Sequence, residues 1–481
     1  MSTWIAVIGL EVHARLLTES KLFCGCAVRF GAPPNSSVCP VCLGYPGTLP
    51  VLNRRAVELA IAAAVATGCE VQARSSFARK NYFYPDLPKG YQITQHDRPI
   101  ATGGAIAILR DETPSPVPIR RIHLEEDAGK LLHETPWKDV PANVSLVDLN
   151  RAGVPLIEIV SEPELRSAAE AVEWASRLRQ ILQWAAVCDG NMEEGSLRID
   201  ANVSVRRKDD PLGTRAEIKN LNSFRHLSRA IEFEIGRQGA LLESGATVVQ
   251  ETRSFDARSG ETRPMRSKEE AWDYRYFDEP DLLDLEVGEE WIERVRRALP
   301  ELPAARAARY ARTWGVPPRD AEVLVATPAV ARYFEAAAAA SSAPQQVANW
   351  VRNEVLAVVN ERGVDLDGWR LTPGRLASLV DLIDRGIVSG RGARQIFEAM
   401  AETSADPLEL VDRLGVRQIT DEAAIRAAAR VVIERSPEQL EQYRSGRTRL
   451  LGYFVGKVIA ETGGRANPEI VDRVVREMLR A

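Results

Sequence analysis

The sequence predicts an α+β chain, with an antiparallel sheet in the first part and helices in the rest. Three observations carry this. Segments 5–16 and 194–206 alternate apolar and polar side chains with a period of two, the signature of strands with one buried face. From residue 289 the composition turns to Ala- and Arg-rich helix with hardly a strand signal. At 481 residues the chain is too long for one core, which suggests two to four domains. We expect a sheet-bearing part at 1–292, a helical domain at 293–405 after the break Leu299-Pro-Glu-Leu-Pro, and a small helical tail at 406–481 beginning at Asp406-Pro407.

The totals exclude several classes. With 62 Lys+Arg against 67 Asp+Glu the formal charge is -5, so a nucleic-acid surface must be local rather than global. Segment 1–16 lacks a basic n-region and is interrupted by Glu11 and His13, so no signal peptide is expected. No apolar run of about 18 residues or more offers a membrane span. The six cysteines are sparse, and four are bunched near the N-terminus. That usage fits a reducing cytoplasm and one metal site better than a disulfide framework.

Taken in order, 5–16 reads as a strand with Ile8, Leu10, Val12 and Ala14 on one face and Glu11, His13 and Arg15 on the other. Glu11 and His13 are metal-ligand candidates, unless this is an edge strand facing water. Cys24, Cys26, Cys39 and Cys42 follow, spaced C-x-C, twelve residues, C-x-x-C. Two thiolate pairs can close a tetrahedral Zn²⁺ site that staples a loop-rich excursion over 24–42, and four cysteines leave no open position, so the site reads as structural. Cys69 and Cys188 read as buried small hydrophobes. Segment 54–67 is an Ala-rich helix stopped by Gly68.

Segment 79–92 concentrates three tyrosines, two prolines and two lysines in a loop. Lys80 and Lys89 suit phosphates, and Tyr82, Tyr84 or Tyr91 would present a flat surface to a base or sugar; a packed aromatic loop is the alternative. Segments 101–110 and 118–124 read as neighbouring strands joined by a Pro-rich turn at 113–118.

The acidic stretch 121–130 is the most informative. As a strand it puts His123, Glu125 and Asp127 on one face and turns Leu124 and Glu126 away. Clustered carboxylates repel unless a cation sits among them, and Mg²⁺ with a nucleotide's phosphates is the natural complement; a solvated acidic turn is the alternative. Further strands at 144–149 and 154–160 carry Asp148 and Glu158, and 167–188 is an amphipathic helix. Segment 194–206 then shows Glu194, Ser196, Arg198, Asp200, Asn202, Ser204 and Arg206 along one face, a row suited to holding metal and triphosphate together. Arg215, Glu217 and Lys219 repeat the pattern on a partner strand, and 223–238 returns to helix. Segment 250–277 contains the aromatic and charged knot Asp273-Tyr-Arg-Tyr-Phe.

Helices are then expected at 304–314, 318–326, 329–340, 344–362, 373–385 and 392–402. In the tail, Arg444, Arg447, Arg449 and Lys457 surround Gly452 and Gly456, one helical turn apart. The glycines suit close helix packing or, alternatively, a basic surface for RNA phosphates. The chain has no G-x-x-x-x-G-K-[ST], no G-x-G-x-x-G and no G-x-S-x-G. Metal-assisted phosphoryl transfer on a sheet is the chemistry that remains.

Seven motifs in order give the chain a family resemblance: Gly9-Leu-Glu-Val-His, Cys39-Pro-Val-Cys-Leu-Gly, Tyr82-Phe-Tyr-Pro-Asp-Leu-Pro-Lys-Gly-Tyr-Gln, His123-Leu-Glu-Glu-Asp-Ala-Gly-Lys, Gly153-Val-Pro-Leu-Ile-Glu-Ile-Val-Ser-Glu-Pro, Glu194-Gly-Ser-Leu-Arg and Met265-Arg-Ser-Lys-Glu-Glu-Ala. From end to end it resembles the GatB/GatE family, and GatB more than GatE because it lacks an inserted extra domain. The resemblance implies a cradle domain similar in fold to glutamine synthetase, then a helical domain and a tRNA-binding tail. It implies a ligase, the B subunit of a tRNA-dependent amidotransferase, in which ATP phosphorylates the side-chain carboxylate of Glu-tRNA(Gln) or Asp-tRNA(Asn) and ammonia displaces the phosphate.

The implied partners are a GatA-type glutaminase, a small GatC-type subunit and misacylated tRNA, and the implied cofactors are Mg²⁺, ATP as co-substrate and structural Zn²⁺. Carried onto this chain, Glu11, His13 and Glu125 become metal ligands, with Glu194, Asp200 and Asp127 behind them. Arg198 and Arg206 become phosphate clamps, Tyr82 and Tyr91 nucleotide contacts, and Lys80 or Lys89 lines the ammonia path. Two other readings are a non-catalytic, zinc-stapled tRNA-binding scaffold and an ATP-dependent ligase acting on a free small acid.

Overall fold

A computed structural model of the protein describes residues 4–132, 141, 143–267 and 271–480. It comprises two compact units, Met1–Leu302 and Pro303–Ala481. The first is built on a 13-stranded sheet. Ten strands form its main run: β1 (Ile5–Arg15), β2 (Ala78–Asn81), β3 (Tyr91–Thr94), β4 (Thr113–Glu126), β5 (Pro155–Ser161), β6 (Leu197–Arg206), β7 (Ala216–Leu221), β8 (Glu251–Asp256), β9 (Glu261–Ser267) and β10 (Phe277–Asp278). Their order is β9-β8-β7-β6-β1-β5-β4-β3-β2-β10.

The expected antiparallel sheet is in fact mixed, because β7 and β8 pair in parallel. Parallel neighbours need a crossover, and the helix α3 defined below lies between them in the chain.

One face of this sheet is apolar, as the alternation predicts. Ile8, Leu10, Val12 and Ala14 of β1 and Leu197, Ile199, Ala201 and Val203 of β6 are almost wholly buried. They share one core with α1 (Arg54–Ala66), α2 (Ala168–Trp184) and α3 (Phe224–Glu243). Each such Val, Leu or Ile side chain contributes roughly 1.5–3 kcal/mol. The helices begin where the sequence supplies an acceptor: Asn53, Ser167 and Ser223 accept hydrogen bonds from the first-turn amides of α1, α2 and α3. The sheet's other face keeps the polar rows of β1, β4, β5 and β6.

One expectation about this unit is corrected, and packing extends the unit beyond its expected end. The Pro-rich stretch 113–118 is strand rather than turn: it opens β4 and pairs with Ala105–Arg110. The reversal falls at Asp111 and Glu112, both left-handed with φ 50° and 62°. Pro114, Pro116 and Pro118 recur every second residue, so their missing N–H groups all point away from the paired strand. The boundary expected at 292/293 lies inside α4 (Glu289–Ala298), whose Ile292 is buried in the sheet unit's core, so the unit runs to Leu302.

The second unit is helical throughout its described residues, and Pro303, Pro318, Pro328, Pro344, Pro373, Pro407, Pro437 and Pro468 each begin a helix. The helix expected over 344–362 is interrupted by a π-helical turn, Val351–Val355. The tail boundary expected at 405/406 is also displaced. Helix Pro407–Arg413 packs against Pro373–Asp384 and Gly390–Glu402, whereas a separate core gathers Ile425, Phe454, Val458, Val474 and Leu479. Gly452 and Gly456 are exposed, and a Cβ on either would meet nothing within 4 Å, so they pack no helix within the chain.

Candidate active site

The sheet's polar face assembles the candidate site through register. His13 of β1 lies opposite Glu158 of β5 and Arg198 of β6, and Glu158 lies opposite His123 of β4. Directly opposed residues share a face, so Arg198, His13, Glu158 and His123 form one row across four strands. Glu125, two residues on from His123, joins His13, Glu158 and His123 in a quartet. His13 Nε2 lies 3.2 Å from Glu158 Oε2 and 3.6 Å from Glu125 Oε1. His123 Nε2 lies 3.4 Å from Glu158 Oε2 and 3.6 Å from Glu125 Oε2. Thr94 Oγ1 donates to Glu125 Oε2 at 3.1 Å.

These groups tune one another. Burial alone would lower the His123 pKa, but Glu158 and Glu125 outweigh it and raise it to about 9. His13 is raised in the same way, with Arg198 opposing. Burial works against both carboxylates, yet the imidazoles hold Glu158 well below its usual value and Glu125 below its own. Without a metal the quartet is therefore charged and mutually compensated. Ligand atoms of His13, Glu125 and Glu158 all lie within 4.8 Å of one another, close enough to share one ion.

Beside the quartet opens a cleft of about 900 Å³ lined by His13, Glu125, Asp127, Arg198, Asp200 and Lys219 among others. Asp127 is held by Arg198 at 3.0 Å and lies 3.6 Å from Arg151. Asp200 is held by Lys219 at 3.4 Å, and Lys219 also reaches Glu217 at 3.4 Å. Burial would lower the Lys219 pKa, but Asp200, Glu217 and Glu11 raise it, so it stays a cation. Lys80 and Tyr82 line the cleft as well, with the Lys80 ammonium 4.6 Å from the Tyr274 ring centre.

Not every sequence candidate converges here. Glu11 lies opposite Asp200 but accepts from Asn202 Nδ2 at 2.9 Å and stands outside the quartet. Glu194 is exposed in the turn before β6, because the strand starts at Leu197, and does not line the cleft. Arg206 donates to the carbonyls of Lys208 and Asp210 at the far end of β6 and closes a turn instead of clamping an anion. Lys89 and Tyr91 face a different cavity: Lys89 pairs with Glu126, whose Oε1 also accepts from Ile93 N at 2.9 Å. Glu126 thus turns away from the quartet, as strict alternation requires. Residues 268–270 of the seventh motif lie outside the described residues.

His123, placed by the sequence reading on one face with Glu125 and Asp127, and Lys219, placed there on a partner strand, both belong to the site, as do Glu158 and Arg151, to which it gave no role. The signals were present as polar residues on strand faces. Which strands would be neighbours was not.

The second cavity, about 720 Å³, is walled by Lys21, Cys24, Cys42, Lys89, Tyr91 and Glu126 among others. It abuts the four cysteines, whose sulfurs all lie within 4.8 Å of one another, with Cys39 and Cys42 3.9 Å apart. A tetrahedron with ~2.3 Å zinc–sulfur arms has edges of ~3.8 Å, so the spacing fits one ion. The Cys39 backbone N–H donates to Cys42 Sγ at 3.1 Å.

Comparison with known proteins identifies the family. A family model described as the GatB/GatE catalytic domain matches residues 6–293, and one described as the GatB domain matches 332–479. A protein of Anaeromyxobacter sp. (strain K) is 54% identical over 100% of this chain and 99% of its own length. One of Thermodesulfovibrio yellowstonii is 48% identical over 99% of each. Both are named as the B subunit of an aspartyl/glutamyl-tRNA(Asn/Gln) amidotransferase. Catalytic-domain match, tail match and full-length relatives converge, and the chain belongs to the GatB/GatE family.

Proposed function

We propose that this chain is the ATP-using subunit of a tRNA-dependent amidotransferase, acting on Glu-tRNA(Gln), Asp-tRNA(Asn) or both in the cytoplasm. The observation that carries this is the cleft: His13, Glu125, Asp127 and Asp200 meet Arg198, Arg151, Lys219 and Lys80 around one space, with Glu158 and His123 behind His13 and Glu125. A carboxylate is activated when its oxygen attacks the γ-phosphorus of ATP and ADP leaves. Ammonia then attacks the acyl carbon and phosphate departs, leaving the amide.

His13, Glu125 and Glu158 would hold a divalent cation, whose carboxylate ligands suit Mg²⁺ or Mn²⁺ and which would neutralise charge on the transferring phosphoryl group. Arg198 and Lys219 sit where they can exchange their carboxylate partners for phosphate oxygens. Tyr82 offers the cleft an aromatic wall. Glu11 and Asp200, paired across β1 and β6, remain candidates for a second cation.

Ammonia would come from a GatA-type glutaminase held by a GatC-type subunit, and Lys80 or Lys89 would line its path. The four cysteines would hold structural Zn²⁺, and the exposed Arg444, Arg447, Arg449 and Lys457 would meet tRNA phosphates. Glu125→Gln is expected to abolish release of labelled phosphate from ATP in the presence of misacylated tRNA, with assembly of the complex intact. Unchanged phosphate release would remove Glu125 from the metal site. Phosphate released without tRNA would mark a small-acid ligase, and none from the parent under any condition a binding scaffold.

A further inference from the structure

We propose that Lys21 is the counter-ion of the four-cysteine site, a positioning residue whose buried ammonium donates to Cys42 Sγ from the cavity side. The proposal rests on the zinc reading above. Lys21 is fully buried, and among the described residues it has no carboxylate partner within ion-pair distance. A buried ammonium without an anion costs several kcal/mol. Its Nζ instead donates to Leu149 O at 3.4 Å and to Cys42 Sγ at 3.7 Å. Four thiolates around one dication carry a net charge of about −2, so the ion-loaded site is the anion this lysine otherwise lacks.

The surroundings are built to keep the ammonium there. The Lys21 N–H donates to Cys26 O at 3.0 Å, and that of Leu22 to Gly153 O at 2.8 Å, which ties the lysine to the cysteine excursion and to the turn before β5. Gly153 has φ 84°, and a Cβ there would lie 3.4 Å from Lys21 Cδ and 3.5 Å from Cys42 Cβ. The turn's left-handed backbone favours glycine, and it brings the lysine stem and the sulfur into van der Waals range of the same point. Lys21 and Cys42 also wall the cavity that holds the Lys89–Glu126 pair. Hydrogen bonding to a metal-bound thiolate withdraws electron density, which retards metal loss and lowers sulfur nucleophilicity.

The test uses the full-length chain. Zinc is quantified by mass spectrometry, then its release to a chromogenic chelator is followed. In Lys21→Met, release is expected to be at least tenfold faster. In the cobalt-substituted protein the thiolate-to-metal charge-transfer band is expected at lower energy than in the parent. Cys69 and Cys188, buried in the sheet unit's core, report folding by staying protected from alkylation.

A second measurement needs no variant. Stripping zinc from the parent should raise acylation of Lys21 at least fivefold while Lys89, still paired with Glu126, is unchanged. Parent-like release with a parent-like band, or Lys21 acylation indifferent to zinc, overturns the counter-ion role and leaves the zinc reading standing. A parent chain that neither contains nor takes up zinc overturns both.

Discussion

His123 shows how a single residue couples stability to the site. Its pKa is raised from 6.5 to about 9, after burial is outweighed by Glu158 and Glu125. A raised folded-state pKa means that the protonated imidazole stabilises the fold fully below pH 6.5, and that this contribution is lost as pH rises through about 9. The two glutamates are shifted the other way, so their contribution is present above their ordinary values near 4.5 and lost only on acidification. With divalent metal chelated, stability should be highest near pH 5–6 and decline toward pH 9 by up to roughly 3 kcal/mol, seen as a falling denaturation midpoint, as the His123 imidazolium is lost. His123→Gln should flatten the decline, and a parent midpoint constant from pH 6.5 to 9 would refute the coupling. At this scale much of the site was legible: Glu125, His13, Arg198, Asp127, Asp200, Lys80 and Tyr82 all line the cleft. Glu158 was visible only as a polar residue on a strand, because its meeting with His13 depends on register between segments far apart in sequence.

At the scale of elements, local signals carried well wherever local physics decides. Alternation marked β1 and β6, and Ser167 and Ser223 marked the starts of α2 and α3. The hairpin before the acidic strand misled for an equally physical reason. Prolines normally announce turns, yet three of them spaced by two fit one edge of a strand, and the true turn uses Asp111, which tolerates the left-handed region, followed by Glu112, which is not a usual left-handed residue. Both φ angles are positive, as in a type I′ reversal, which costs an ordinary side chain roughly 1 kcal/mol or more. Replacing the pair by Asn-Gly should therefore stabilise the sheet unit by about 1 kcal/mol and leave the cleft unaltered. Chemical denaturation followed by tryptophan fluorescence measures it, and a lower midpoint would contradict the turn assignment.

At the scale of the whole molecule, composition announced the change from sheet to helix near 293, where the catalytic-domain match also ends, and packing carries the sheet unit on to Leu302. Ile292 of α4 enters the sheet unit's core, and Pro407–Arg413 joins the helices of 373–402. The separate core of 425–479 therefore defines the tail, and a truncation that tests it should remove 419–481, sparing the 407–413 helix. The tail bears Arg444, Arg447, Arg449 and Lys457, all exposed, around a helix face bared by Gly452 and Gly456. If these cations meet tRNA phosphates, every phosphate left without its cation takes about 0.7–0.9 off the slope of log affinity against log salt, so the truncation should flatten that slope by about 3. ATP binding, which depends on the sheet unit's cleft, should be unchanged. Filter binding of tRNA across a salt series, beside nucleotide titration, separates the two terms: equal tRNA affinity at every salt concentration would take the tail out of recognition, and a parallel loss of ATP binding would mean that the cut had damaged the sheet unit itself.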